Sequence, residues 1–151
     1  MPEACRLSRI ETPMETPAHY SVEHPVLFRH CDPAGIVFYP RYFEMLNDVT
    51  EGFFRDKLSW PFEDMHKTSG GPAVALSAQF FAPSYHGDVL TLDLSVLKLG
   101  ITSLKLNMRA SCNGEKRFET EHTMVCINKD GKPRAWPDSV QTKITEIMGT
   151  S

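Results

Sequence analysis

Alternation of apolar and polar residues runs through the second half of the chain and predicts four β-strands. The apolar positions fall at every second residue within 74–82, 90–96, 104–110 and 118–126. Short segments that contain glycine or polar residues separate these runs, which is typical of hairpin turns between antiparallel strands. The separating segments are Tyr85-His86-Gly87-Asp88, Leu99-Gly100 and Asn113-Gly114, and a similar turn segment, Asp130-Gly131, follows the last run.

A helical spacing of apolar residues precedes the strands and predicts a helix that begins at Pro40. Proline suits the first turn of a helix, where a missing N–H removes no hydrogen bond. The apolar surface is wider than a one-sided helix needs, so we expect the helix to be covered on several sides. Its apolar residues are Tyr42, Phe43, Met45, Leu46, Val49, Phe53 and Phe54.

Weaker patterns complete the outline. Alternation from Tyr20 to His30 predicts a first strand, broken or bulged at Pro25. The residues between Trp60 and Pro72 are expected to form a loop. Apolar residues in the last part of the chain predict a short terminal helix that begins near Asp138. The order of strand, helix and four strands predicts an α+β fold, with an antiparallel sheet wrapped around a long central helix.

The length of 151 residues favours one domain. Residues 1–18 are rich in proline and threonine and lack periodicity, so we predict a flexible N-terminal tail followed by a single domain at 19–151.

Composition and charge exclude several classes of protein. The 16 basic and 19 acidic side chains give a net charge of −3, which leaves no basic surplus for binding nucleic acid. No apolar run has the length or purity of a membrane helix or a secretory signal, so we expect no membrane partner. The four cysteines form no CxxC pair, and no ligand spacing recurs. We therefore expect free thiols, a cytoplasmic location and no metal site.

One stretch, His30 to Phe43, combines three features that an acyl-transfer reaction requires. A carboxylate, Asp32, leaves the end of the predicted first strand, and Gly35 lets the turn that follows approach another group closely. An apolar loop then leads into the helix start, whose unpaired N–H groups favour negative charge. Acyl transfer needs a base or nucleophile beside donors for a developing oxyanion. Asp32 and the amides around Tyr39 offer both.

The run Asp32-Pro33-Ala34-Gly35-Ile36-Val37, followed by Tyr39-Pro40, resembles the motif of the 4-hydroxybenzoyl-CoA thioesterase branch of the hotdog-fold acyl-CoA thioesterases. The order of predicted elements is similar to theirs from about His19 to Ile147. The resemblance implies hydrolysis of an aromatic (4-hydroxybenzoyl- or benzoyl-like) or short-chain acyl-CoA to the free acid and CoA. It assigns Asp32 as nucleophile or general base, and the backbone N–H of Tyr39 as the group that polarises the thioester carbonyl.

The same resemblance implies no cofactor, because coenzyme A is part of the substrate. It also implies a homodimer or homotetramer with each active site at a subunit interface. The residues expected to contact substrate are Gly35, Phe38, Asn47, Lys98 and Thr102.

This chain departs from the branch at two places, and at a third it differs from a related branch. The turn Leu99–Thr102 is uncharged where related enzymes often carry basic residues near the CoA phosphates, so Lys98, Lys105 or another subunit would replace them. Asn47 stands where enzymes for a para-hydroxylated ring tend to have aspartate. Pro40 stands where a branch linked to the cell envelope usually has histidine.

Plainer interpretations exist for the residues of this stretch. Asp32 before a proline is often a turn carboxylate that accepts local N–H groups. His30 and Cys31 invite a Cys–His nucleophile hypothesis, but neighbouring strand residues point to opposite faces, which disfavours it.

Polar residues of the last predicted strand also have structural interpretations. His122 lies in the apolar phase of that strand, so we expect a buried histidine with its hydrogen bonds satisfied, in the core or at an interface. His86 is expected to be solvated. Three charged residues in the opposite phase indicate a hydrated sheet face or a subunit contact: Arg117, Glu119 and Glu121.

Two other functions fit the predicted fold. A non-catalytic acyl-binding module would keep the scaffold without the chemistry, and the presence of Asp32 beside Gly35 disfavours it. A hotdog dehydratase would place a histidine and an acid across the site, and the predicted helix contains no histidine.

Overall fold

The computed structural model describes residues 17–149, and its elements follow the predicted order. The predicted tail lies outside the described residues except for its last two. The strands are β1 Tyr20–Pro25, β2 Ser69–Gly70, β3 Ala73–Phe80, β4 Val89–Leu99, β5 Ser103–Cys112, β6 Glu115–Val125 and β7 Ile127–Asn128. The helices are α1 Pro40–Asp56, α2 Phe62–Thr68 and α3 Asp138–Gly149, with a 3-10 helix at Phe28–His30.

Five strands form one antiparallel sheet in the order β1-β4-β5-β6-β3, which confirms the predicted α+β architecture. The pairing of Leu92 with Ala110 and of Met108 with Thr120 keeps alternate residues of neighbouring strands on the same face. That face is buried against α1, and the rings of Tyr42 and Phe118 lie 3.9 Å apart between their centroids. The two short strands β2 and β7 pair separately.

The helix α1 is enclosed on several sides, as its wide apolar surface predicted. Phe53 and Phe54 are consecutive, and both are fully buried. Phe53 lies against the ring of Tyr20 on β1, whereas Phe54 lies against Trp136 in the segment before α3. Consecutive helical residues point about 100° apart. Two different parts of the chain therefore cover the end of α1.

Two local expectations were wrong. The first strand is broken at Pro25, as one of the two predicted alternatives had it, but it does not continue to His30, because the Val26 N–H donates to the carbonyl of Asp88 and Phe28–His30 form the 3-10 helix. The expected loop after α1 contains the helix α2, whose Met65 is buried. Seven residues are too few for periodicity to reveal a helix, although acidic residues in its first turn and basic residues in its last suit the helix dipole.

Arg117 is buried rather than hydrated, which is a third correction. Its side chain is 2% exposed, and its Nη1 lies 2.7 Å from Asp88 and 3.1 Å from the Ser84 hydroxyl. Its Nε donates to Glu115 at 2.8 Å. The pairing of β5 with β6 shifts register between Ala110, which pairs with Phe118, and Ser111, which pairs with Lys116, so Arg117 is the extra residue at this irregularity. Alternation of apolar and polar residues in the sequence does not reveal such an irregularity in strand pairing.

We expect Arg117→Met to lower the free energy of unfolding by about 3 kcal/mol or more, because it leaves two carboxylates without their buried partner. Urea denaturation measures the change. The matched control is Lys105→Met, which removes a half-exposed ion pair to Glu121 at 3.4 Å and should cost less than about 1 kcal/mol. Equal effects of the two substitutions would contradict this account.

Candidate active site

The loop between the 3-10 helix and α1 is closed by its own backbone. The Gly35 N–H donates to the Asp32 carbonyl at 2.9 Å, and the Asp32 N–H donates to the Ile36 carbonyl at 2.9 Å. Gly35 has φ +84°, a conformation that residues with a side chain rarely adopt. A Cβ built there would meet nothing within 4 Å. In this chain, Gly35 is thus required for the turn conformation, whereas the sequence suggested a close approach.

The Asp32 carboxylate is held by one oxygen only. Its Oδ1 accepts the Ala34 N–H at 2.8 Å, as in the plainer turn interpretation. Within residues 17–149, its Oδ2 accepts no hydrogen bond and no cation pairs with the group. The side chain is half-buried. A carboxylate fixed through one oxygen, with the other available, can act as a base or nucleophile.

The Tyr39 N–H at the helix start stays available. Tyr39 is the N-cap of α1, and no side chain caps this end. Among the described residues its N–H has no acceptor. A free N–H at the positive end of a 17-residue helix is a ready donor for an oxyanion. The neighbouring amides are engaged: Val37 donates to Ser84, Phe38 to His30, and Arg41 to Phe38.

Buried groups on both sides hold the loop in place. Isolated bridges pair Cys31 with Val37 and Ile36 with Tyr85. His30 is 3% exposed, and its Nδ1 accepts the Leu27 N–H at 2.8 Å, an interaction that needs the unprotonated nitrogen. Burial lowers the pKa of His30, with a smaller contribution from the nearby Arg29 charge, and so favours that form.

Cys31 is poorly suited to act as the nucleophile. Burial raises the pKa of its thiol, and the neighbouring Asp32 carboxylate raises it further. The thiolate is the reactive form of cysteine, so both effects reduce reactivity. No disulfide joins the three described cysteines, Cys31, Cys112 and Cys126.

Predicted substrate contacts near the helix start lie at the surface of this single chain. The rings of Phe38 and Tyr39 are 46% and 59% exposed, and their centroids lie 5.7 Å apart. Phe80, at the end of β3, lies against Tyr39 and is also half-exposed. Asn47 is exposed two turns into α1. Phe38, Tyr39 and Phe80 form an exposed apolar rim at the helix start.

Lys98 and Thr102 are not brought to this loop within one chain. They flank the turn between β4 and β5, whose Ile101 carbonyl accepts the N–H of Trp136. Trp136 packs on Phe54, close to the last turn of α1. That turn lies about 20 Å along the helix from the Tyr39 amide. In an isolated chain these two candidates therefore lie at the end of the helix opposite Asp32.

The sequence analysis missed a cavity of about 570 Å³ beneath α1. Its walls come from α1, α2, β3, β6 and the short strands β2 and β7, and Asn47 and His122 both line it. Neither α2 nor the two-residue strands β2 and β7 were predicted from the sequence. A cavity with walls formed by these elements was therefore not predicted either. A second cavity of about 690 Å³ lies on another side of Asn47, next to His30.

His122 is buried as predicted, but it is not satisfied. It is 6% exposed, and its Nδ1 has no hydrogen-bond partner in the described part of the chain. Burial lowers the pKa of its ring, so the neutral form is favoured. Groups of three or more His, Cys, Asp or Glu side chains placed to hold a metal ion are absent from residues 17–149. No helix in the same range is long and apolar enough to span a membrane.

This chain is similar in sequence and in fold to known thioesterases. A sequence model described as the thioesterase-like superfamily matches residues 26–144. No significant match was found among curated proteins.

Several solved structures share the fold. BH1999, a gentisyl-coenzyme A thioesterase, is 27% identical, with a TM-score of 0.74 over 80% of this chain and 98% of its own. Slr0204, a 1,4-dihydroxy-2-naphthoyl-CoA thioesterase from Synechocystis, is 21% identical, with a TM-score of 0.79 over 84% and 96%. A thioesterase from Thermus thermophilus, complexed with coenzyme A and Zn, is 19% identical, with a TM-score of 0.78 over 89% and 98%.

We expect the free energy of unfolding to fall as the pH is lowered from 7 to 5. Burial lowers the pKa of His30 and His122 from the ordinary value of 6.5, so the unfolded chain binds protons more readily than the folded chain. The stability from these neutral rings is complete above about pH 6.5 and is lost below it. Urea denaturation at several pH values measures the slope.

Two variants test whether buried histidine rings cause this pH dependence of the free energy of unfolding. His122→Asn removes one titrating ring and should make the pH dependence shallower, whereas His86→Asn removes an exposed ring and should leave it nearly unchanged. The opposite ranking would contradict the assignment.

Proposed function

Because this chain belongs to the thioesterase-like superfamily and is a hotdog-fold thioester hydrolase, we propose that it cleaves an aromatic or short-chain acyl-CoA to the free acid and CoA. An aromatic acyl group, 4-hydroxybenzoyl- or benzoyl-like, is favoured over an aliphatic one. Two similar structures are named for aryl-CoA substrates, and a third was solved with coenzyme A. The aromatic rim of Phe38, Tyr39 and Phe80 beside the reactive loop is suited to a planar ring.

The observation that carries the proposal is the unused N–H of Tyr39, held in the same closed loop as Asp32. The thioester carbonyl oxygen accepts this N–H, and the positive end of α1 stabilises the negative charge that develops on it. A preorganised donor of this kind contributes about 3–4 kcal/mol to a comparable reaction.

Asp32 supplies the attack on the carbonyl carbon in one of two ways. As a nucleophile, its carboxylate forms an anhydride with the acyl group and expels the CoA thiolate, and water then hydrolyses the anhydride. As a general base, it takes a proton from the water that attacks directly. Both routes consume one water and yield the acid and CoA, and neither requires a cofactor.

A non-catalytic acyl-binding module is the alternative from another class. Such a module would bind acyl-CoA without releasing thiol. Hydrolysis is favoured over this alternative because similar solved structures are named as acyl-CoA thioesterases, and because the turn leaves the Oδ2 of Asp32 available for chemistry. A dehydratase is less favoured, since α1 contains no histidine. The free thiols expected of this chain favour a cytoplasmic location.

Asp32→Asn is the sharpest test of the catalytic assignment. Asparagine keeps an oxygen for the Ala34 N–H, so the turn is preserved while the base is lost. We expect thiol release from benzoyl-CoA and 4-hydroxybenzoyl-CoA to fall by at least about 100-fold. Asp64→Asn, an exposed carboxylate on α2, should retain full activity. A full rate in Asp32→Asn would show that this carboxylate only closes the turn.

The site also favours a second copy of the chain. The edge strand β3 is exposed along most of its length, with Val74 61% and Leu76 49% exposed. An edge strand with exposed apolar residues is a template for pairing with another strand. A partner whose helix runs antiparallel to α1 would bring its own Lys98 and Thr102 towards Asp32, which one chain alone does not achieve. We therefore propose a homodimer, or a homotetramer built from it.

Val74→Lys places a charge on this edge, and we expect it to shift the protein from dimer towards monomer. Analytical ultracentrifugation measures the change, and loss of dimer should be accompanied by loss of hydrolysis. Ile101→Lys changes an equally exposed residue, at 75%, in the turn between β4 and β5. This control should leave the dimer intact. An unaltered mass for Val74→Lys would argue against β3 as the interface.

A further inference from the structure

The cavity beneath α1 contains a polar group that nothing in the fold satisfies. His122 lies on β6 between Leu106 of β5 and Leu76 of β3, on the face directed to the helix. It is more than nine-tenths buried, with 6% exposure, and its Nδ1 has no partner among the described residues. Its ring lines the cavity of about 570 Å³. A buried polar atom without a partner costs about 1–3 kcal/mol.

The other polar groups at this cavity differ from His122. The His66 ring is already engaged, since its Nδ1 lies 2.6 Å from the Phe62 carbonyl oxygen. Asn47 lines the same cavity from α1, and its amide carries both donors and an acceptor. The remaining walls are mostly apolar side chains and glycines. Thr50 is engaged as well, since its hydroxyl donates to the Leu46 carbonyl. The cavity thus combines a mostly apolar wall with His122 from the sheet and Asn47 from the helix as the polar side chains for which no such local bond is seen among the described residues.

We propose that His122 is a specificity-determining residue, which forms a hydrogen bond with a hydroxyl group at the far end of an aromatic acyl group held in this cavity. This inference rests on the proposed function, because it takes the thioester end of the substrate to lie at Tyr39 and Asp32. A neutral imidazole has one donor and one acceptor, and a phenolic hydroxyl can engage either. The substrate hydroxyl forms the hydrogen bond that Nδ1 lacks among the described residues.

The dimensions of the cavity agree with such a ligand. Its volume lies within the range of about 300–1,000 Å³ that is typical of small-molecule sites. It begins near Phe43, one turn from the helix start, and extends past Asn47. Helical side chains lean towards the N-terminus, so Asn47 points back towards the loop that carries Asp32. A ring that enters from the helix start therefore meets the apolar wall, with Asn47 at the exposed side of the cavity and His122 at its buried side.

The test compares two acyl groups of similar size, 4-hydroxybenzoyl-CoA and 4-methylbenzoyl-CoA. In the wild-type protein we expect a higher kcat/KM for the hydroxylated substrate. His122→Leu should reduce this preference about tenfold, the value of one hydrogen bond. His122→Asn keeps a polar group near the position of Nδ1 and should restore part of the preference. This variant also keeps the inference testable if His122→Leu does not fold.

Thr120→Val is the matched control. Thr120 is also buried on β6 with an unpartnered hydroxyl among the described residues, but it does not line this cavity. If removal of any buried polar group altered specificity, Thr120→Val would do so as well. We expect it to leave the ratio of the two kcat/KM values unchanged.

Binding of the free acids separates failure of this inference from failure of the proposed function. Calorimetry should give tighter binding of 4-hydroxybenzoate than of 4-methylbenzoate, with the difference lost in His122→Leu, whether or not the protein hydrolyses any thioester. Equal kcat/KM values and equal affinities in the wild type, or a preference that survives in both His122 variants, would overturn the inference. Absence of hydrolysis together with a His122-dependent preference in binding would overturn only the proposed function.

Discussion

The position of α1 inside the curved sheet is the constraint on which the rest of the structure depends. Phe53 and Phe54 are both fully buried, one against Tyr20 of β1 and the other against Trp136, so contacts on two sides oppose movement of the helix. Close-packed interiors resist small displacements. The start of the helix is therefore fixed relative to the sheet, and with it the N–H of Tyr39. A donor that is already in place needs no reorganisation when charge develops near it.

A polar network connects this packing to the reactive loop. Arg117 on β6 binds the Ser84 hydroxyl and Asp88, and the Ser84 carbonyl accepts the Val37 N–H at 2.9 Å. Loops are usually the mobile part of a fold. Here a buried guanidinium anchors one loop, which in turn holds the loop that contains Asp32. The same interactions thus contribute to stability and to the geometry of the site.

Two unsatisfied groups lie where a ligand could complete them. The Tyr39 N–H lacks an acceptor among residues 17–149, and the His122 Nδ1 lacks a partner in the same range. Natural proteins depart from local consistency mainly at functional sites. The two groups lie at the helix start and beneath the helix, so one elongated ligand that follows α1 would reach both. The apolar rim and β3 are both exposed in the single chain, which is the basis of the proposed dimer.

The sequence by itself determined the main elements and the position of the candidate motif. Periodicity is a local property, so it predicted α1 and the four long strands, and the run from Asp32 to Tyr39 lies within a single loop. Burial of Arg117, the open nitrogen of His122 and the distance of Lys98 from the site were decided only by tertiary structure. Each depends on contacts between residues far apart in the chain, or on a register shift that alternation does not record. The α2 helix belongs to the same class, because its seven residues owe their helical state to packing of Met65 rather than to pattern.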